Sequence, residues 1–236
     1  MSAVRIIHIE TATTTCSVAA GENGVLMAVR SVHDGYKHAE NLLRLVEEVI
    51  QEAGWKYAEL SAIAVSAGPG SYTGLRIGVS TAKGLCYALD IPLIAVSTLY
   101  SLASGFRRQF PDSEELLCPM LDARRMEVYT ALFSKNLGRL KPDAPLIVET
   151  LESVPEILEQ PIVFFGDGAE KCEVVLTHPN SNFNKSIQIS AEDMVKSAFD
   201  AFQSQISDSY LIKDLAYFEP EYLKPYQGKP PVMNNK

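Results

Sequence analysis

Apolar and polar positions change their period several times along the 236-residue chain, and each change marks a different element. Alternation broken by short polar clusters predicts strands over Val4 to Glu10, Cys16 to Ala20 and Val25 to Val32. The breaks, Thr11 to Thr15 and Glu22-Asn23-Gly24, are only turn-length, so the three strands form an antiparallel meander. From Lys37 to Ala53 the spacing lengthens. Ala39, Leu42, Leu43, Val46, Val49, Ile50 and Ala53 recur at three and four, an amphipathic helix stopped by Gly54. The continuous apolar run Ala62 to Ala67 predicts a strand buried on both faces, closed by Gly68-Pro69-Gly70. A helix over Thr73 to Leu89, a buried strand over Pro92 to Ser97 and a helix over Thr98 to Phe106 follow.

The second half repeats the theme more loosely. Leu117 to Asp122 and Glu127 to Phe133 read as strands, Lys141 to Pro145 as a proline-marked loop, and Ser153 to Gln160 as a short helix capped by Ser153. Pro161 to Phe165 reads as a buried strand closed by Gly166-Asp167-Gly168. Ser190 caps a helix over Ala191 to Ile206, with Asp193 completing a capping box. The order strand, strand, strand, helix, strand, helix, strand, helix is the half-domain of the actin, Hsp70 and sugar-kinase (ASKHA) architecture. An α/β, actin/Hsp70-like two-lobed fold is therefore expected, each lobe a mixed sheet with flanking helices and the second lobe reduced. The expected lobes are residues 1–108 and 109–236, the latter ending in a proline-rich tail that wraps the surface from Pro220; in such folds the C-terminal segment can also return to the first lobe.

With 47% apolar and 21% charged residues, the chain can bury a sizeable core. A formal net charge of −8, with Arg107-Arg108 and Arg124-Arg125 as the only adjacent basic pairs, leaves no footprint for independent binding to a polyanion. If RNA is the substrate, something else must hold it. The four cysteines, Cys16, Cys86, Cys118 and Cys172, are far apart and suggest neither a zinc ribbon nor a disulfide framework. The chain opens into a strand rather than a leader, and no apolar run approaches the roughly 18 residues of a membrane span. A cytoplasmic protein is expected.

The glycine turn places backbone N–H groups at a helix start, a natural anion site, but its spacing matches neither the dinucleotide fingerprint nor a P-loop. In the helix it opens, Leu75, Val79, Ala82, Cys86 and Leu89 make a core stripe, while Gly74, Gly78, Thr81 and Gly84 are too small to fill space. Glycine inside a helix costs about 0.5–1 kcal/mol relative to alanine, so close approach of something at that face is expected. Leu45 widens the apolar arc of the preceding helix in the same way. Two readings stay open: a docking surface built from Leu42, Leu45, Val49, Gly74, Gly78, Thr81 and Leu85, or faces satisfied inside the monomer. The Thr11 to Thr15 turn stands where an actin-like fold places its first phosphate loop, yet carries no lysine or glycine, and Glu10 suits either a metal-bound water or a strand end. His33 and His38, five apart, do not share a helical face, and neither a His-Glu-x-x-His nor a Gly-x-Ser-x-Gly signature is present. No catalytic or metal-binding residue is assigned, and ATP or ADP in the interlobe cleft or at a partner interface stays open.

Ile9-Glu10-Thr11-Ala12, His38-Ala39-Glu40-Asn41-Leu42-Leu43, Gly68 to Gly78, Ala95-Val96-Ser97-Thr98-Leu99, Leu121-Asp122-Ala123-Arg124, Gly166-Asp167-Gly168 and Pro220-Glu221-Tyr222-Leu223 together resemble the TsaB (YeaZ) family. The resemblance implies a non-catalytic subunit in the formation of threonylcarbamoyladenosine on tRNA. Its implied partners are TsaD, the catalytic subunit, and the ATPase TsaE, with a second copy of the chain on the same helices when TsaD is missing. TsaD carries a His-x-x-x-His metal pair on its first helix, whereas here His38 is followed four residues later by Leu42. A stand-alone ATP-binding enzyme of sugar-kinase type is the alternative, using Glu10, the Thr11 to Thr15 turn and the Gly166 to Gly168 turn. A glycoprotease-like metallopeptidase is a further one, against which the missing metal ligands and nucleophile count.

Overall fold

A computed structural model describes residues 3–33, 37–204 and 212–225. In the first lobe, β1 (Arg5–Glu10), β2 (Cys16–Glu22) and β3 (Val25–Val32) form the expected antiparallel meander. The chain then crosses through α1 (His38–Glu52) to β4 (Ala62–Gly68), parallel to β1, and through α2 (Tyr72–Leu89) to β5 (Leu93–Ser97), parallel to β4. α3 (Thr98–Gln109) leads to the second lobe. There β6 (Leu116–Asp122), β7 (Glu127–Phe133) and β8 (Arg139–Ile147) make a second meander, β9 (Ile162–Phe165) lies parallel to β6, and β10 (Ser181–Asn184) parallel to β9. The second sheet has the order β10-β9-β6-β7-β8, which repeats the first-sheet order β5-β4-β1-β2-β3 strand for strand. Where the first lobe has α1 and α2, the second has only short 3-10 turns, at Leu151–Ser153, Pro155–Leu158 and Glu170–Cys172. This is the duplicated, actin-like fold with a reduced second lobe.

Several elements differ from expectation. Lys141 to Pro145 lie inside β8 rather than in a loop; β8 is a sheet edge, where Pro142 and Pro145 remove no ladder bond that the strand needs. The helix expected from Ser153 is a pair of 3-10 turns, and the polar strand β10 has no hydrophobic pattern to announce it. The element capped by Ser190 starts as a 3-10 turn, Ala191–Met194, and becomes α4 over Val195–Ser204; Gln205 and Ile206 lie outside the described residues. Its capping box is present, the Ser190 side chain accepting from Glu192 N–H and the Asp193 carboxylate from Ser190 N–H.

Each face of the first sheet is covered by different chain segments. Ile7, Ile9, Ile63 and Val65 pack against Leu42, Val46 and Val49 of α1 and Val79 and Ala82 of α2. Ile6, Ala62, Ala64 and Ile94 on the other face pack against Met194, Val195, Ala198 and Ala201. β11 (Ile212–Lys213) then adds to the edge of β5, antiparallel. The boundary expected near residue 108 thus separates β1 to β5 from β6 to β10, and Ala191 to Ala201 and β11 return to the first sheet. α3 carries Leu99, Leu102 and Phe106 against Leu117, Phe133 and Phe165 of the second sheet, so the connecting helix is buried rather than a loose linker. Among the described residues no helix is long and apolar enough to cross a membrane.

Candidate partner-docking groove

The glycine turn is shaped by a neighbour within the chain. β4 ends at Gly68 in a left-handed conformation, φ +121°, and Ser71 caps α2, its hydroxyl accepting from Gly74 N–H at 3.2 Å. The Thr11–Ala12 turn presses onto this corner: Ser71 N–H donates to Ala12 O at 2.6 Å, and Thr11 Oγ1 donates to Gly74 O at 2.8 Å. A Cβ on Gly74 would lie 2.1 Å from Thr11 O, and one on Gly78 2.2 Å from Thr11 Oγ1. Glycine at 74 and 78 is therefore demanded by Thr11, not by a second helix. Leu42, Leu45 and Val49 are likewise core residues, exposed by only 1%, 2% and 0%. These five anticipated contacts are sealed inside the monomer. Thr81 and Leu85 are half-buried on α2.

An open surface lies beside them. Between the outer faces of α1 and α2 runs a groove of about 480 Å³, lined by Ala39, Leu43, Tyr72, Thr73, Arg76, Ile77, Ser80 and Thr81. Its floor and walls are small or apolar, and Leu43 is 58% exposed. Gly84, one turn beyond Ser80, has nothing within 4 Å of where its Cβ would stand. Among the described residues, Arg76 is the only charged one in the lining. Its guanidinium lies 4.2 Å from the centre of the Tyr72 ring, and its Nε donates to Tyr222 Oη at 3.2 Å. The groove residues of α2 recur at three and four, Thr73, Ile77, Ser80 and Thr81 beside Tyr72 and Arg76, on a stripe neighbouring the core stripe. That period was readable, but Leu43 carries the same period as the buried face of α1 and hides among core positions.

A second concavity, of about 420 Å³, separates the lobes; Thr13, Thr14, Thr15 and His33 line it from the first, Gly166, Asp167, Glu170 and Lys185 from the second. Three of the groups that could greet a phosphate are already engaged. Ala12 N–H donates to Glu10 Oε1 at 2.6 Å and Thr15 N–H to Thr13 Oγ1 at 3.2 Å. Lys185 Nζ pairs with Glu173 at 2.7 Å. Both histidines hold the threonine turn: His38 Nε2 donates to Thr13 O at 2.9 Å, and His33 Nδ1 lies 3.1 Å from Thr15 Oγ1. Among the described residues no group of three or more His, Cys, Asp or Glu is placed to hold a metal ion.

Glu10 does not face this cleft. It is fully buried, its Oε1 also accepting from Ser66 Oγ at 2.9 Å. Burial pushes its carboxyl up to about 7, opposed by the bonds from Ala12 and Ser66. Asp193 is raised to about 6 by burial, against the pull of Arg108. Burial also pushes the thiols of Cys16 and Cys86 up to about 11 and of Cys118 up to about 12, which keeps them protonated and poorly nucleophilic.

Comparison with known proteins agrees with this architecture. A family model described as TsaD, tRNA N6-adenosine threonylcarbamoyltransferase, matches residues 34–212. The tRNA threonylcarbamoyladenosine biosynthesis protein TsaB of Bacillus subtilis is 34% identical over 165 residues, 68% of this chain and 70% of the relative. TsaB of Escherichia coli is 35% identical over 133 residues, 56% of each chain. The solved structure of YeaZ from Pseudomonas aeruginosa superposes with a TM-score of 0.78 at 28% identity, covering 94% of this chain and all of the other. With the duplicated sheets, the Gly68 to Gly78 corner and these likenesses together, the chain belongs to the TsaB (YeaZ) family.

Proposed function

We propose that this chain serves tRNA threonylcarbamoyladenosine formation as a non-catalytic subunit, docking a TsaD-type transferase through the groove between α1 and α2. The observation that carries the reading is the groove itself: a small-residue, largely apolar furrow with a single cationic group among its described lining residues, beside the stripes that α1 and α2 bury in the core. The TsaD family model matches residues 34–212, a span that includes both α1 and α2, so a transferase of that family would bring an equivalent helix pair. Small residues at Thr73, Ser80 and Gly84 let such a pair approach closely, as in a four-helix packing. The partner needs an apolar stripe and an acceptor for Arg76. A second copy of the chain would use the same groove in the partner's absence, and a TsaE-type ATPase would join the assembled pair.

The alternative of a stand-alone ATP-dependent enzyme is disfavoured by the engaged amides of the threonine turn and by the burial of Glu10. Co-elution with the transferase subunit of the same organism tests the docking reading. Leu43→Glu and Ser80→Arg alter exposed groove residues, so both are expected to fold normally and to lose co-elution. Retained binding by both variants would sink the reading. Gly78→Arg is unsuitable for this purpose, because Thr11 occupies the space its side chain needs.

A further inference from the structure

Beyond β11 the chain returns across α2 as a strap. Lys83 Nζ donates to Phe218 O at 3.0 Å and Ala216 O at 3.3 Å, and the Phe218 ring is buried in the α1–α2 core. Glu221 N–H donates to Ala67 O at 2.7 Å, while Glu221 O lies 2.4 Å from where a Cβ on Gly68 would stand, so the strap seats on the glycine corner itself. Its next residues reach in two directions. Tyr222 packs tilted against Tyr72, with ring centres 4.7 Å apart, and accepts from Arg76, both groove residues. Two positions on, Lys224 Nζ pairs with Glu127 Oε2 on β7 of the second sheet. One short segment therefore fastens the groove wall to the second lobe, across the surface and apart from the buried connection through α3.

We propose that the strap couples the groove to the second lobe, so that seating a TsaD-type helix pair against Arg76 and Tyr72 and the interlobe arrangement set by Lys224 and Glu127 are energetically linked through Tyr222. This rests on the docking reading above. The logic is reciprocal: if the interlobe contact biases how Arg76 and Tyr72 are presented, occupancy of the groove biases the interlobe contact equally. Lys224 and Glu127 do not line the groove, so a change in partner affinity on altering them reports coupling rather than a lost contact.

Calorimetric titration of the transferase subunit against the full chain tests this, with thermal melts to establish that each variant folds. Lys224 and Glu127 are partly exposed, and a surface pair contributes little stability, so Lys224→Met and Glu127→Gln keep the fold. Each is expected to change partner affinity about fivefold. The charge swap Lys224→Glu with Glu127→Lys is expected to return affinity toward wild type, and Arg76→Ala combined with Lys224→Met to be non-additive. Unchanged affinity in Lys224→Met and Glu127→Gln, with a lowered one in Arg76→Ala, overturns the coupling and leaves the docking reading standing. Absence of binding by the wild type overturns both.

Discussion

Thr11 decides which residues can stand at positions 74 and 78, and the glycines of α2 divide accordingly. Gly74→Ala or Gly78→Ala drives a methyl into Thr11 and is expected to lower unfolding free energy by about 1–3 kcal/mol in a urea titration. Gly84→Ala meets nothing and is expected to raise it by about 0.5–1 kcal/mol. All three glycines look alike in the sequence; what separates them is a turn more than sixty positions earlier, a distance no local pattern spans. Glu10 makes a second residue-scale prediction. Burial raises its carboxyl from 4.5 to about 7, so the folded protein keeps a proton that the unfolded chain has released over that interval. Its contribution is whole below 4.5 and lost as pH climbs through about 7. Glu10→Gln cannot titrate, and its stability relative to wild type should rise by about 2–3 kcal/mol between roughly pH 5 and pH 8, read by denaturant unfolding at each. A flat difference would show that Glu10 is not held neutral.

Elements were legible wherever one period ran long enough. α1, α2 and the β1 to β5 strands lie within a residue or two of where alternation, the three-and-four spacing and the Gly68 break put them. The second lobe was harder, since its crossovers are 3-10 turns too short to show a period, and β8 carries prolines that only an edge tolerates. The groove is partly legible: its α2 stripe, Thr81 included, recurs at three and four, whereas Leu42, Leu45, Val49, Gly74 and Gly78 follow the second of the two open readings and are satisfied inside the monomer. The cap at Ser190 was read from residue types alone and stands with both reciprocal bonds. Ser190→Ala should therefore cost about 1 kcal/mol, measurable as a lowered melting temperature.

At the scale of the whole molecule, the first sheet is covered on one face by helices that come early in the chain and on the other by residues from 191 to 201. A fragment ending near residue 108 lacks that second cover. Such a fragment is expected to aggregate or to bind a hydrophobic dye, and supplying the segment from Ser190 to Pro225 within a rearranged chain should restore a cooperative melt. Soluble, cooperative folding of the short fragment would show that the returning segment is dispensable. The same arrangement sets an order of events during synthesis. Ile6, Ala62 and Ile94 leave the ribosome long before Met194 and Ala198, their partners in the core. The nascent first lobe must wait, one apolar face uncovered, while the entire second lobe is made, and this interval is when the growing chain has most need of a chaperone.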